Sequence, residues 1–310
     1  MDDVLVLWDI DGTLIDAGGV GRDLYNLVFQ QLFERSLPAC APMAGRTDRA
    51  IILDTLTLAG VSEPRRYVDP FIAGLGEHAR SMESAVAQRG QALPGAAEVL
   101  ATLAAARYLA GFRGGGPGGD LVGALRGPGG RGGGVMAAVA AAPVAVATIP
   151  GLVTVPDPGP VDKRGVRSAS AADGRVYQSV LTGNIRALAQ VKLTALGLRD
   201  GLDLCIGAYG DDHEDRTELV HVARRRAAGV HGASGTAFAG TAFAGTAFAG
   251  TATVVIGDTP LDIAAALAAD ARAIGVATGS YPAADLTAAG AHAVLPSLAD
   301  TALVLDAIFG

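Results

Sequence analysis

Val4-Leu5-Val6-Leu7-Trp8-Asp9-Ile10-Asp11-Gly12-Thr13-Leu14 is the stretch on which the rest of the chain is organised. Five apolar residues in a row suit a short strand covered on both faces, as in a parallel sheet. Side chains alternate along a strand, so Asp9 and Asp11 point the same way where it ends. Gly12 then allows a sharp turn. Ligands of open α/β sheets bind beyond the carboxyl ends of the strands. Two acids delivered there, with no Lys or Arg nearby in sequence, ask for a cation. The plainer reading is a strand followed by an Asp-Gly turn, since both residues favour turns. The full D-x-D-G-T-L string after an apolar strand favours the site.

Working outward, the next strand of this kind is Thr253-Val254-Val255-Ile256-Gly257-Asp258, again apolar and again ending in an acid. Thr259-Pro260-Leu261-Asp262 opens a helix behind it, with Pro near the first turn. Ile274–Ala277 and Ala293–Leu295 read as later strands, Leu202–Ile206 as another, with helices between. Alternating strands and helices predict an α/β fold with a doubly wound parallel sheet. Between about Gly18 and Leu93 the pattern is helical. Leu24, Leu27, Val28 and Leu32 share one helix face; Thr47 or Asp48 caps a second helix; a third runs roughly from Arg65 to Gln88. Val180–Asn184 reads as a strand entering a turn, and Gly183 and Asn184 there present amides at a helix N-terminus, a ready anion site. Lys192 lies on the helix that follows. Arg224, Arg225 and Arg226 read as a solvated helix end, and Asp211, Asp212, Glu214 and Asp215 as a solvated acidic loop.

Taken in order, Asp9 and Asp11, then Thr182, then Lys192, then Asp258 and Asp262 resemble the four motifs of the haloacid dehalogenase-like superfamily. Most members of that superfamily are magnesium-dependent phosphatases. The helices after the first motif resemble the inserted cap of its phosphoglycolate-phosphatase-like branch. The resemblance implies a core of residues 1–17 and 94–310, with a cap of residues 18–93. It implies that Asp9 is the nucleophile and Asp11 the general acid/base. Thr182, with Gly183 and Asn184, and Lys192 would bind the phosphoryl group. Mg²⁺ would be held at Asp9, Asp11 (through a nearby backbone carbonyl), Asp258 and Asp262. Many relatives carry the lysine later, nearer Asp215 and Arg216, so Arg216 is the second candidate for that role. Arg46, in Gly-Arg-Thr-Asp, is the candidate substrate contact.

Two stretches fall outside this pattern. From about residue 109 to 176, glycine, arginine, alanine and proline replace globular text; more than half of Gly111–Gly134 is glycine. Such composition offers no burial to offset the entropy of ordering. Residues 235–251 repeat Gly-Thr-Ala-Phe-Ala, a period too short for a solenoid. The uncharged run Gly132–Pro156 is long enough to span a membrane, yet Pro143 and Pro150 interrupt it and a span would divide the motifs. Gly114-x-Gly116-x-x-Gly119 follows no strand and is not a dinucleotide site. A net charge of -7 and pI near 5.2 argue against a partner held by nucleic-acid phosphates. Cys40 and Cys205 form no disulfide framework, and no basic, apolar leader opens the sequence, so a cytoplasmic location is expected.

The expected function is a Mg²⁺-dependent phosphomonoester hydrolase acting on a small phosphorylated metabolite through an aspartyl-phosphate. An acid two residues after the nucleophile suits ester cleavage, where the leaving oxygen needs a proton. The alternatives are a sugar-phosphate mutase of the same superfamily and a non-catalytic phosphate-binding relative.

Overall fold

In a computed structural model, residues 3–105, 175–231 and 248–310 are described. The Gly132–Pro156 run and the glycine-rich 111–134 stretch lie outside these residues.

Five parallel strands form the central sheet in the order β4-β1-β5-β6-β7. They are β1 (Val4–Trp8), β4 (Val176–Val180), β5 (Thr253–Gly257), β6 (Arg272–Val276) and β7 (Ala293–Leu295). β1 sits in the middle of the first half, with Trp8 opposite both Val180 and Ile256. That register brings the residues following Trp8, Val180 and Gly257 together at one sheet edge. The apolar run was needed because both faces of β1 are covered. Val6 and Trp8 pack on one side with α5 (Ala96–Ala105), α6 (Arg186–Ala195) and α10 (Thr301–Phe309). Leu5 and Leu7 pack on the other with α7 (Arg216–His231), α8 (Pro260–Ala268) and α9 (Ala283–Ala288). Each such Leu or Val contributes about 1.5–3 kcal/mol by leaving water. Trp8 also keeps its indole N–H satisfied, donating to Gln178 Oε1 at 3.3 Å.

A short antiparallel ribbon, β2 (Ile15–Asp16) with β3 (Gln91–Ala92), marks where the chain leaves and re-enters the sheet region. Between them lies an inserted helical segment: α1 (Val20–Phe33), α2 (Asp48–Leu58), α3 (Val68–Ala79) and α4 (Glu83–Arg89). The stretch expected as one helix from Arg65 to Gln88 is divided by 3₁₀ turns at Pro64–Tyr67 and Arg80–Met82. In α1 the buried face is Val20, Leu24, Tyr25, Val28 and Phe29, and Leu27 and Leu32 stay exposed. The segment's own core includes Leu24, Phe29, Ile52, Phe71 and Leu75. Ile185 and Leu188, at the start of α6, join that cluster and tie the segment to the sheet region.

Three further expectations differ from the fold. Leu202–Ile206 is not a strand; only Ala208 makes a bridge, to Leu181. The Asp203 side chain accepts from Cys205 N, curling the backbone into a turn before a ladder can form. At the basic end of α7, Arg225 is exposed as expected, but Arg224 is buried, donating to Thr253 Oγ1 and to the carbonyls of Ala269 and Gly250. Arg226 instead forks onto Asp212 at 2.6 and 2.7 Å, so Asp212 is a structural acid. Finally, the last repeat enters the core. Phe248 is buried against Tyr177, ring to ring at 5.6 Å, while 232–247 lie outside the described residues.

Candidate active site

Asp9 leaves β1 with its amide on Ile256 O (2.8 Å), which fixes it at the sheet edge beside β5. Its carboxylate is buried, and Oδ1 accepts from Arg216 Nη2 at 2.7 Å. The same nitrogen donates to Asp262 Oδ1. Carboxylate oxygens of Asp9, Asp258 and Asp262 all lie within 4.8 Å of one another. Burial pushes the Asp9 carboxyl well above the usual carboxylate range, and Asp262 and Asp258 push it further, against the pull of Arg216. Asp258 rises to about 7, again through burial first and then Asp262. Burial works against the Arg216 charge, yet the neighbouring Asp262 and Asp9 carboxylates push its pKa up. One guanidinium therefore stands against three acids, and a divalent cation would complete the balance.

The donor set fits such an ion. All three groups offer oxygen, the ligand that hard cations take. Asp258 lies in a cradle only glycine permits: a Cβ on Gly12, whose φ is +86°, or on Gly279 would overlap its carboxylate. Thr13 donates to Asp258 Oδ1 at 3.3 Å, and Thr278 donates to Gly12 O at 2.6 Å. Asp262 has a second duty as the acid of a capping box. Its Oδ2 accepts from Thr259 N and Oγ1, and the Thr259 hydroxyl accepts from Asp262 N. These buried carboxylates are a site that could hold a metal ion.

Asp11 is turned elsewhere. Its Oδ2 accepts from Lys192 Nζ (2.6 Å) and Asn184 Nδ2 (2.7 Å), and its Oδ1 from Lys192 Nζ (2.8 Å). Its carboxylate is thus not part of the group formed by Asp9, Asp258 and Asp262. Lys192 and Arg216, rivals for one role on the sequence, are divided: Arg216 meets Asp9, and Lys192 meets Asp11.

The helix-start amides are less open than the sequence suggests. Asn184 N donates to Thr182 Oγ1, Ile185 N to Asp48 Oδ2 and Arg186 N to Asp211 Oδ1. Thr182 is fully buried beside this turn. Arg46 reaches Asp54 at 2.5 Å and Pro42 O at 3.2 Å. It lines a cavity of about 320 Å³ with Leu53, Asp54, Arg65, Glu214 and Asp215, away from the three acids.

Several participants carried no functional signal in the sequence. Thr13 and Thr259 stood inside the motifs without an assigned role, and nothing marked Thr278 or Gly279. Of the two cap candidates, Thr47 takes the position, accepting from Ala50 N. The Asp48 carboxylate is buried, accepting from Tyr25 Oη at 2.6 Å and from Ile185 N at 2.7 Å. Burial raises it to about 6.

Residues 230–301, which include β5, Asp258, Asp262 and β6, match a family model described as HAD-hydrolase-like. That match spans 72 of the 310 residues of the chain. Its fold is similar to that of a hydrolase from Pseudomonas syringae, at 17% identity over 100% of both chains, TM-score 0.52. It is also similar to a predicted phosphatase from Clostridium acetobutylicum, at 12% identity over 98% of this chain and 99% of the other, TM-score 0.53. No curated protein matches the chain. The five-stranded parallel sheet and the helical segment inserted after β2 are the architecture compared, and Asp9, Asp258 and Asp262 stand at its sheet edge.

Proposed function

We propose that this chain is a hydrolase of the haloacid dehalogenase-like superfamily, a Mg²⁺-dependent phosphomonoesterase acting on a small phosphorylated metabolite. Residues 18–93 serve as its cap, as in the phosphoglycolate-phosphatase-like branch, and it works in a reducing cytoplasm. The observation that carries the reading is the buried Asp9 carboxylate, grouped with Asp258 and Asp262, opposed by a single arginine, and followed two residues later by Asp11.

Phosphoryl transfer is mostly positioning and charge neutralisation. Asp9 and Asp258 would hold Mg²⁺, and it would supply the positive charge that lets a carboxylate approach an anionic phosphate. Asp262, both of whose oxygens are already bonded, steadies Arg216 and the start of α8. Arg216 keeps one side of Asp9 fixed. Its buried Nε has no acceptor among the described residues, leaving a donor for a phosphoryl oxygen. Arg216 thus takes the cationic role that Lys192 shared with it on the sequence.

An Asp9 oxygen attacks phosphorus and forms an aspartyl-phosphate. The P–O bond to the leaving group breaks, and Asp11 gives its proton to the departing oxygen. A water then attacks phosphorus, Asp11 takes its proton, and the bond to Asp9 breaks, returning a carboxylate and inorganic phosphate. Asp9→Asn is expected to abolish Mg²⁺-dependent hydrolysis of p-nitrophenyl phosphate, followed by release of nitrophenolate. Unchanged turnover would overturn this reading.

A further inference from the structure

We propose that Lys192 is a positioning residue that aims Asp11, and that the proton exchanged with the substrate travels on Asp11 Oδ1. This rests on Asp11 being the acid/base of the reaction proposed above.

Lys192 lies on α6 between buried Val191 and Leu193, and its own side chain is only 4% exposed. Burying an ammonium is costly unless it is paired and hydrogen-bonded, and an apolar side chain of equal length would fill the space without that cost. The charge is fully used: Nζ donates to both Asp11 oxygens and to Asn184 Oδ1 at 2.7 Å. Asn184 closes the ring by donating from Nδ2 to Asp11 Oδ2 and to Thr182 Oγ1 at 2.8 Å. Two side chains, Asn184 on a loop and Lys192 on a helix, therefore fix one carboxyl group.

The ring is anchored at its Asn184 end. Asp48, from α2 of the inserted segment, holds the turn that carries Asn184. Its amide donates to Gly183 O at 2.7 Å and its Oδ2 accepts from Ile185 N at the same distance. The approach is so close that a Cβ on Gly183 would overlap Arg46 O. Asn184 therefore cannot shift without disturbing these contacts.

Counting lone pairs places the chemistry on one oxygen. A carboxylate offers about four acceptor positions, two on each oxygen. Among the described residues, Oδ2 accepts two bonds and Oδ1 accepts one. The Asp11 side chain is 39% exposed, so its remaining edge is open. Oδ1 is thus the oxygen with room for the proton and for a substrate oxygen.

Aiming matters only where a proton must reach the leaving oxygen, because transfer requires hydrogen-bond reach. The test is turnover of a series of aryl phosphates, from p-nitrophenyl through phenyl to p-methoxyphenyl, at saturating Mg²⁺. The nitrophenolate leaves readily as an anion; the methoxyphenolate depends on protonation. Lys192→Met is expected to lose at least about tenfold more kcat on the p-methoxyphenyl ester than on the p-nitrophenyl ester. Lys192→Arg is expected to recover most of that difference. Equal loss on all esters, or a uniform rise in KM, would overturn the inference and leave Lys192 a structural or phosphate-binding residue. Asn184→Ala, which removes the other support, is expected to steepen the same series and gives the answer should Lys192→Met not fold. If Asp9→Asn turns over p-nitrophenyl phosphate as the natural protein does, the phosphatase reading itself fails, a result distinct from a flat ester series.

Discussion

Asp9 and Asp48 are both carboxylates buried at the junction of strand, turn and helix, and burial raises both. Their counter-groups differ. Asp9 has Arg216, while Asp48 has a phenol and an amide. For Asp48 the folded value, about 6, lies above the ordinary carboxylate value of 3.8. Between these values the folded state binds more protons than the unfolded chain, so stability falls as pH rises through the window. The full span corresponds to about 3 kcal/mol. Asp48→Asn cannot titrate; melts of the natural protein and the variant at pH 4.5 and pH 7.5 should converge in favour of the natural protein at the lower pH. A constant difference would mean that Asp48 titrates normally. Gly279→Ala places a methyl group where the Asp258 carboxylate lies. It is expected to cost at least about tenfold in Mg²⁺-dependent turnover, roughly 1.4 kcal/mol in the barrier, with far-UV circular dichroism unchanged.

Helices α6, α7 and α8 each bring one charged residue to the sheet edge: Lys192, Arg216 and Asp262. The start of α8 is fixed locally, by the Thr259–Asp262 capping box with Pro260 in the first turn. Thr259→Ala removes the hydroxyl that caps the helix and bonds Asp262, and should cost about 1–2 kcal/mol. A melting shift of about 2–4 °C in a protein of this size would report it. The capping pattern was legible in Thr-Pro-Leu-Asp itself. The pairing of the two cations was not, because Lys192 and Arg216 are separated by 24 positions and only the packing of α6 and α7 against opposite faces of the sheet decides which acid each meets. The same holds for Arg224 and Arg226 of α7, which look solvated until Thr253, Ala269 and Asp212 are folded beside them.

At the scale of the whole molecule, the sheet, both flanking helical layers and the inserted segment, all among the described residues, belong to one compact unit. The expectation is that residues 106–174 can be replaced by a Gly/Ser linker of about a dozen residues, because closure entropy varies only slowly with loop length. Soluble expression, a melt and p-nitrophenyl phosphate turnover within about threefold of the full chain would bear this out; insoluble protein would assign the stretch a part in folding. Mg²⁺ should also act on global stability. An ion that binds only the folded acids adds about 2.7 kcal/mol at a hundred times its Kd. Thermal melts with and without MgCl₂ should show that increase in the natural protein and lose it in Asp258→Asn.

By itself, the sequence determined the sheet-forming runs, the acids at their ends and the helical character of the segment after Gly18. These are local properties: apolar continuity, strand alternation and turn chemistry act over a few residues. Only the tertiary structure decided that Asp9, Asp258 and Asp262 share one group and that Asp11 belongs to Lys192 and Asn184. It likewise decided that Asp48 reaches in from the inserted segment to hold the Asn184 turn. Those relations depend on strand register and on which sheet face each helix covers, and both arise from contacts between residues far apart in the chain. The opening strand still sets the scene: it delivers two acids, and the fold gives each its own cation.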